Sequence, residues 1–141
     1  MIKWSEQFVL GNKQLDGQHK RLFELISQLE HHLPTHNPLH VRQWHAGIPA
    51  LLQELSDYAD HHFVVEEAFL DSQGCRQLAQ HRGCHAQYNR YVKNTIQDIL
   101  TSHNLTQLEI LYRYLKSWWI NHVLSEDQLV KQIMVSKSAL A

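Results

Sequence analysis

Cysteine, proline and glycine are all scarce in this chain of 141 residues, at two, three and five respectively. The two cysteines, Cys75 and Cys84, are too few for a disulfide framework and have neither zinc-ribbon nor C-x-x-C spacing. On one helix, at roughly 100° per residue, they would face opposite ways, so they read as small hydrophobes rather than a bridge. The shortage of glycine and proline, with no alternating apolar runs between turn residues, excludes a strand-rich fold. No apolar run is long enough to span a bilayer, and the segment Met1 to Glu6 lacks a basic start leading into an apolar stretch. Excess charge is missing too: a net charge of -1 and a pI near 6.9 offer no broad field to nucleic acid or an anionic membrane surface. The expectation left standing is one soluble, cytoplasmic, monomeric domain over residues 1–141 with a small or buried ligand.

Histidine, by contrast, is abundant, at twelve residues, and its placement has to be read against the helices. Leu22, Leu25, Ile26, Leu29 and Leu33 recur at three and four, predicting helix A from about Asp16 to Leu33, stopped by Pro34 and the Thr35-His36-Asn37-Pro38 turn. Helix B lies within Leu39 to Leu70, where Leu51, Leu52, Leu55, Ala59, His62, Phe63, Glu66 and Phe69 share the helical period. Pro49 either kinks it or marks its true first turn. Ser72-Gln73-Gly74 closes it with a glycine in the C-terminal position. Helix C follows from about Arg76 to Leu100, Ser102-His103-Asn104 breaks the chain, and helix D runs from near Leu105 to the Asp127 region. Residues Val130 to Ala141 can form a short closing helix, and the segment Met1 to Leu15 reads as an extended arm anchored by Trp4, Phe8 and Val9. The fold class is therefore all-α: an up-down-up-down four-helix bundle, the economical way for four apolar stripes to cover one another.

Polar groups fall on those stripes. Helix B carries His62 and Glu66 four apart, helix C carries His81 and His85 four apart, helix D carries His122 and Asp127, and helix A carries His19 on the side of Leu22 and Ile26. Imidazoles and carboxylates at core positions are costly unless something coordinates them. Any one of these pairs is an ordinary helix-surface pair by itself. Together they amount to five imidazoles and two carboxylates, an inventory for two metals with shared carboxylates and an open position. Donors of nitrogen and oxygen without thiolate point away from structural zinc and toward iron, manganese or copper, with a di-iron centre favoured. Ferritin-like sites use mostly Glu with Glu-x-x-His, a pattern not found on these stripes.

The motifs resemble those of bacterial hemerythrins. Leu15-Asp16-Gly17-Gln18-His19 matches a D-x-Q-H opening, and His62 to Glu67 matches H-F-x-x-E-E. His81 to His85 matches H-x-x-x-H, and Trp118 to Asp127 matches W-x-x-x-H-x-x-x-x-D. The resemblance spans Trp4 to about Asp127. It implies one iron on His81, His85 and His122, a second on His19 and His62, and bridges from Glu66, Asp127 and a solvent-derived oxo or hydroxo group. It further implies reversible dioxygen binding at the iron with two histidines, for storage, transport or delivery, and no enzymatic activity. On helix D, at roughly 100° per residue, Trp119, Ile120 and Val123 project within the arc between His122 and Asp127, making them candidates for the wall of the oxygen pocket. His61 is an alternative to His62, which is preferred for its Phe63 and Glu67 context; Glu67 itself should face solvent or back the ligands. His31, His32, His36, His40, His45, His61 and His103 are expected at the surface. Because the chain ends soon after Asp127, a carrier is expected ahead of an oxygen or redox sensor module, or of a di-iron peroxide or nitric oxide reductase.

Overall fold

A computed structural model of the chain describes residues 2–33 and 44–140. A single 3-10 turn, Glu6–Phe8, is followed by α1 (Lys13–Glu30), α2 (Ile48–Ser72), α3 (Leu78–Ser102), α4 (Leu105–Leu124) and α5 (Gln128–Leu140). No strand occurs among the described residues. The first four helices form the bundle: α1 packs against α2 and α4, and α3 packs against the same two neighbours. None of the helices is long and apolar enough to cross a membrane among the described residues.

Local chemistry sets each boundary. α1 begins three residues before the predicted Asp16 because the Asn12 side chain accepts a hydrogen bond from the Leu15 backbone N–H at 3.1 Å, a true N-cap. Asp16 is then free to accept from the backbone N–H groups of Leu10 and Gly11, at 2.8 and 3.1 Å. Those bonds fold the N-terminal segment back at Gly11, whose φ of +94° suits glycine. The segment is accordingly not simply extended. It makes its 3-10 turn and buries Phe8 against Phe23 and Trp4, with ring centroids 4.9 and 5.7 Å apart, while Val9 is only half-buried. α1 ends at Glu30, short of the expected Leu33, which lies in the turn beyond it.

Helix B resolves at Pro49. The proline stands in the first turn of α2 and introduces no kink there, since an N–H lost in the first turn was never going to be satisfied within the helix. Residues 39–43 of the predicted segment lie outside the described residues, as does His36. α2 runs on to Ser72 before Gly74, at φ +65°, turns the chain. α3 starts at Leu78, two residues after the expected position. His103, in the left-handed conformation, and Asn104, which accepts from the Gln107 N–H at 3.0 Å, then separate α3 from α4 as the break predicted. The closing helix is present as α5, with Val130 buried.

Antiparallel succession sorts the interior into two halves. At one end Leu25, Ile26 and Leu29 of α1 meet Leu51, Leu52 and Leu55 of α2, Val92, Ile96 and Ile99 of α3, and Leu108, Leu111 and Leu115 of α4, all buried. Each contributes about 1.5 to 3 kcal/mol by leaving water. The other end holds the start of α1, the end of α2, the start of α3 and the end of α4, and its interior is polar.

Candidate metal centre

Four helices and one turn deliver the seven predicted side chains to this polar end. His19 comes from the second turn of α1, His62 and Glu66 from successive turns of α2, His81 and His85 from the first turns of α3, and His122 from the last turn of α4. One expectation fails here, for Asp127 is not on helix D. α4 stops at Leu124, Ser125 leaves helical geometry at φ -123° and ψ -81°, and the Asp127 backbone N–H reaches back to the His122 carbonyl at 3.0 Å. Five residues cannot separate two groups on one face of a regular helix by the same reach as four, and the irregular turn supplies the difference.

All seven residues are buried, five of them histidines and two carboxylates. Their donor atoms form two groups, Glu66, His81, His85, His122 and Asp127, and His19, His62, Glu66 and Asp127, each with its atoms within 4.8 Å of one another. The carboxylates belong to both groups. His81 Nε2 lies 2.5 Å from Glu66 Oε1 and 3.0 Å from Asp127 Oδ1. His122 Nε2 lies 3.1 Å from Asp127 Oδ1 and 3.1 Å from His85 Nε2. On the other side His19 Nε2 lies 3.1 Å from Asp127 Oδ2, and His62 Nε2 lies 3.2 Å from Glu66 Oε2.

The donor set fits a cation better than it fits itself. His19 Nε2, His62 Nε2, Glu66 Oε2 and both Asp127 oxygens are buried and make no hydrogen bond of proper geometry among the described residues despite their proximity. Such atoms are expensive to leave unpaired. A spacing of 3.1 Å between two imidazole nitrogens is also the edge expected between neighbouring ligands when each sits about 2.1 Å from a shared metal. Without a cation the carboxylates draw protons onto the rings. Burial lowers the pKa of His19, but the adjacent Asp127 and Glu66 carboxylates outweigh that and push it up to about 9. Burial likewise opposes His81, which the same two carboxylates raise to about 10. His62 goes the other way, lowered by burial and then by the neighbouring His19. Burial works to raise Glu66, yet four surrounding histidines hold it well below the usual carboxylate range. Asp127 is also held low, its burial and the nearby Glu66 charge being overcome by His122 and His19.

Three neighbours of the ligand rings were not singled out by sequence reasoning. Trp118 stacks on His122 with centroids 4.3 Å apart and planes at 15°, Phe63 stacks on His85 at 3.9 Å and 15°, and Gln18 accepts a hydrogen bond from His62 at 2.7 Å. Each lay inside a quoted motif; Trp118 is four residues before His122 on α4, whereas the contacts of Phe63 and Gln18 cross between helices and leave no periodic signal. Of the candidate pocket residues, Trp119 and Val123 are fully buried, with the Trp119 ring 5.7 Å from His62 and 6.2 Å from His19. Ile120 is only half-buried. With Asp127 in a turn beyond α4, no single helical arc joins it to His122, and that arc does not group the three residues. Glu67 does back a ligand ring, as described below. His61 is exposed and outside the cluster, and His31, His45 and His103 are also exposed, whereas His32 is half-buried.

The domain model named Hemerythrin HHE cation binding domain matches residues 10–133. This chain belongs to the hemerythrin HHE family. It is 29% identical to a bacteriohemerythrin of Clostridium acetobutylicum over 129 residues, covering 91% of this chain and 97% of the relative. A bacteriohemerythrin of Pseudomonas aeruginosa is 27% identical over 126 residues, which cover 89% of this chain and 76% of that protein. A hemerythrin-like protein of Naegleria gruberi is 26% identical over 133 residues, covering 94% and 93%. A cation-binding family and a buried cluster of imidazoles and carboxylates agree on what this end of the bundle can hold: a metal centre.

Proposed function

We propose that this hemerythrin-family chain binds dioxygen reversibly at a non-haem di-iron centre, for storage or delivery. His81, His85 and His122 would hold one iron, His19 and His62 the other, with Glu66 and Asp127 bridging them beside a solvent-derived oxo or hydroxo group. The observation carrying this reading is the sharing of both carboxylates between two groups with unequal numbers of histidines. Unequal shells leave one metal a coordination position short, which is where a small ligand can enter. Iron is favoured over structural zinc because the donors are nitrogen and oxygen without thiolate. A pair of ferrous ions supplies the electrons that dioxygen borrows on binding and returns on release.

The chain's own residues account for reversibility. Trp119 and Val123 turn apolar atoms of α4 into the interior, and the Trp119 ring, beside His62 and His19, keeps bulk water from the two-histidine side. The Trp119 indole N–H donates to the Tyr88 hydroxyl at 3.0 Å, which turns its polar edge away from the cluster and fixes the ring. Glu66 and Asp127 keep two negative charges at the centre, offsetting half the charge of two divalent cations.

The test is an oxygenation cycle. Iron-loaded protein, reduced without air, is exposed to oxygen and then purged with argon while the visible absorption is followed. A band that appears and vanishes over several cycles supports the carrier; immediate conversion to the ferric form overturns it. Iron well below two per chain in protein made with ample iron would overturn the dinuclear centre.

A further inference from the structure

The Nε2 atoms of all five imidazoles point into the cluster, so what distinguishes the rings is the partner of the other nitrogen. His85 Nδ1–H donates to Glu67 Oε2 at 2.8 Å, and the second Glu67 oxygen accepts from Arg82 Nε at 3.2 Å. His122 Nδ1 lies 3.6 Å from Glu126 Oε2. On the opposite side His62 Nδ1–H donates to the buried Gln18 Oε1 at 2.7 Å, and His19 Nδ1 has no hydrogen-bond partner among the described residues. The three-histidine group is thus backed by a hydrogen-bonded carboxylate at His85, with a second carboxylate 3.6 Å from His122, and the two-histidine group by a single neutral amide.

The difference is chemical as well as geometric. A carboxylate accepts only, so it fixes the proton on Nδ1, leaves Nε2 with its lone pair free, and draws the ring toward imidazolate character. An amide oxygen fixes the same tautomer but cannot share the proton. Were Gln18 turned to present its NH2 to His62, Nε2 would carry the proton and face the cluster as a donor, so the oxygen-facing arrangement is the one compatible with a ligand. We propose that Glu67 and Gln18 are positioning residues that make the two metal positions unequal. The carboxylate-backed position takes up metal first and reaches the higher oxidation state first, while the amide-backed position stays the weaker and more exchangeable one. Arg82 holds Glu67 in place for this role. The proposal rests on the dinuclear reading above.

Cobalt(II) titration of the full-length metal-free protein, followed by calorimetry and visible absorption, tests it without iron or oxygen. The wild-type chain is expected to bind two cobalt ions in two resolved steps. Glu67→Gln should weaken the tighter step by about 10- to 100-fold and leave the weaker one in place. Gln18→Glu should tighten the weaker step, and the double variant should merge or invert the two. A purely structural role would weaken both steps in either variant, and that result overturns the proposal. Two cobalt ions bound with unaltered spacing in both single variants overturns it as well, leaving the dinuclear reading intact. A wild-type chain that takes up one cobalt overturns the dinuclear reading and the proposal together. If Glu67→Gln does not fold, the direction of change in Gln18→Glu decides. In iron-loaded protein, Glu67→Gln should also narrow the gap between the two one-electron reduction potentials.

Discussion

The same four helices bury leucine, isoleucine and valine at one end of the bundle and imidazole and carboxylate at the other, and the two ends are stabilised by different means. At the apolar end burial itself supplies the free energy, with no requirement on direction. At the polar end burial is a cost, recovered only when each charge meets an opposite one at the right distance. One end therefore holds the helices together, and the other uses that framework to keep costly groups at a fixed separation. The candidate metal centre occupies the half of the interior where burial costs most.

This contrast can be broken from either side. Leu111→Ala should cost about 2 to 5 kcal/mol in denaturant unfolding, with or without metal, because a cavity opens among residues that have nothing to coordinate. Metal stoichiometry should be unchanged, and a lower stoichiometry would mean that the two ends are coupled. Asp127→Asn should lower metal-free stability by a different route, since it takes a buried charge partner from His19, His81 and His122. It should abolish most of the metal-linked gain, about 2.7 kcal/mol for a wild-type site at a hundredfold excess over its Kd. Thermal unfolding with and without added metal reads both effects.

A third expectation concerns pH. His19 and His81 have folded pKa values raised above 6.5, to about 9 and about 10, so their contribution is complete below pH 6.5 and is lost as pH rises through 9 and 10. Glu66 and Asp127, held below 4.5 and 3.8, contribute above those values and lose the effect as pH falls. His62, lowered below 6.5, also contributes above that pH and opposes the first two on the acid side. The metal-free protein should therefore weaken between pH 6.5 and 10. Metal uptake near neutrality should release protons, measurable by calorimetry in buffers of different ionisation enthalpy. Loaded protein should not show the alkaline decline. The smallest effect is expected from His61→Ala at an exposed position, within about 0.5 kcal/mol and with full metal stoichiometry. A loss of metal there would reverse the preference for His62.

Periodicity made most of this architecture legible. Leu22, Leu25, Ile26 and Leu29 on α1, and the paired spacings His62 with Glu66 and His81 with His85, are helix signals that survive in one dimension. Asp127 was found as a residue but misplaced as an element, because a turn that lets a backbone N–H reach back to His122 has no period to read. The start of α1 was missed for a different reason: Asn12 caps through its side chain, while Asp16, the more conspicuous acidic residue, ties the N-terminal segment at Leu10 and Gly11. Gln18 and Glu67 stand beside ligands in the chain and touch different ligands in space, Gln18 the ring of His62 and Glu67 the ring of His85. Adjacent residues on a helix point roughly 100° apart, so the partner of Gln18 could only come from another helix.

The position of Asp127 beyond α4 has a consequence in time. Proteins are made from the N-terminus, and six of the seven donors precede the turn that carries the last one. The first three helices, with their leucines free to cluster, are outside the ribosome before Asp127 emerges. Val130, buried just past it, then seats the turn. The order of synthesis leaves the donor cluster incomplete until the stretch that follows α4 is made.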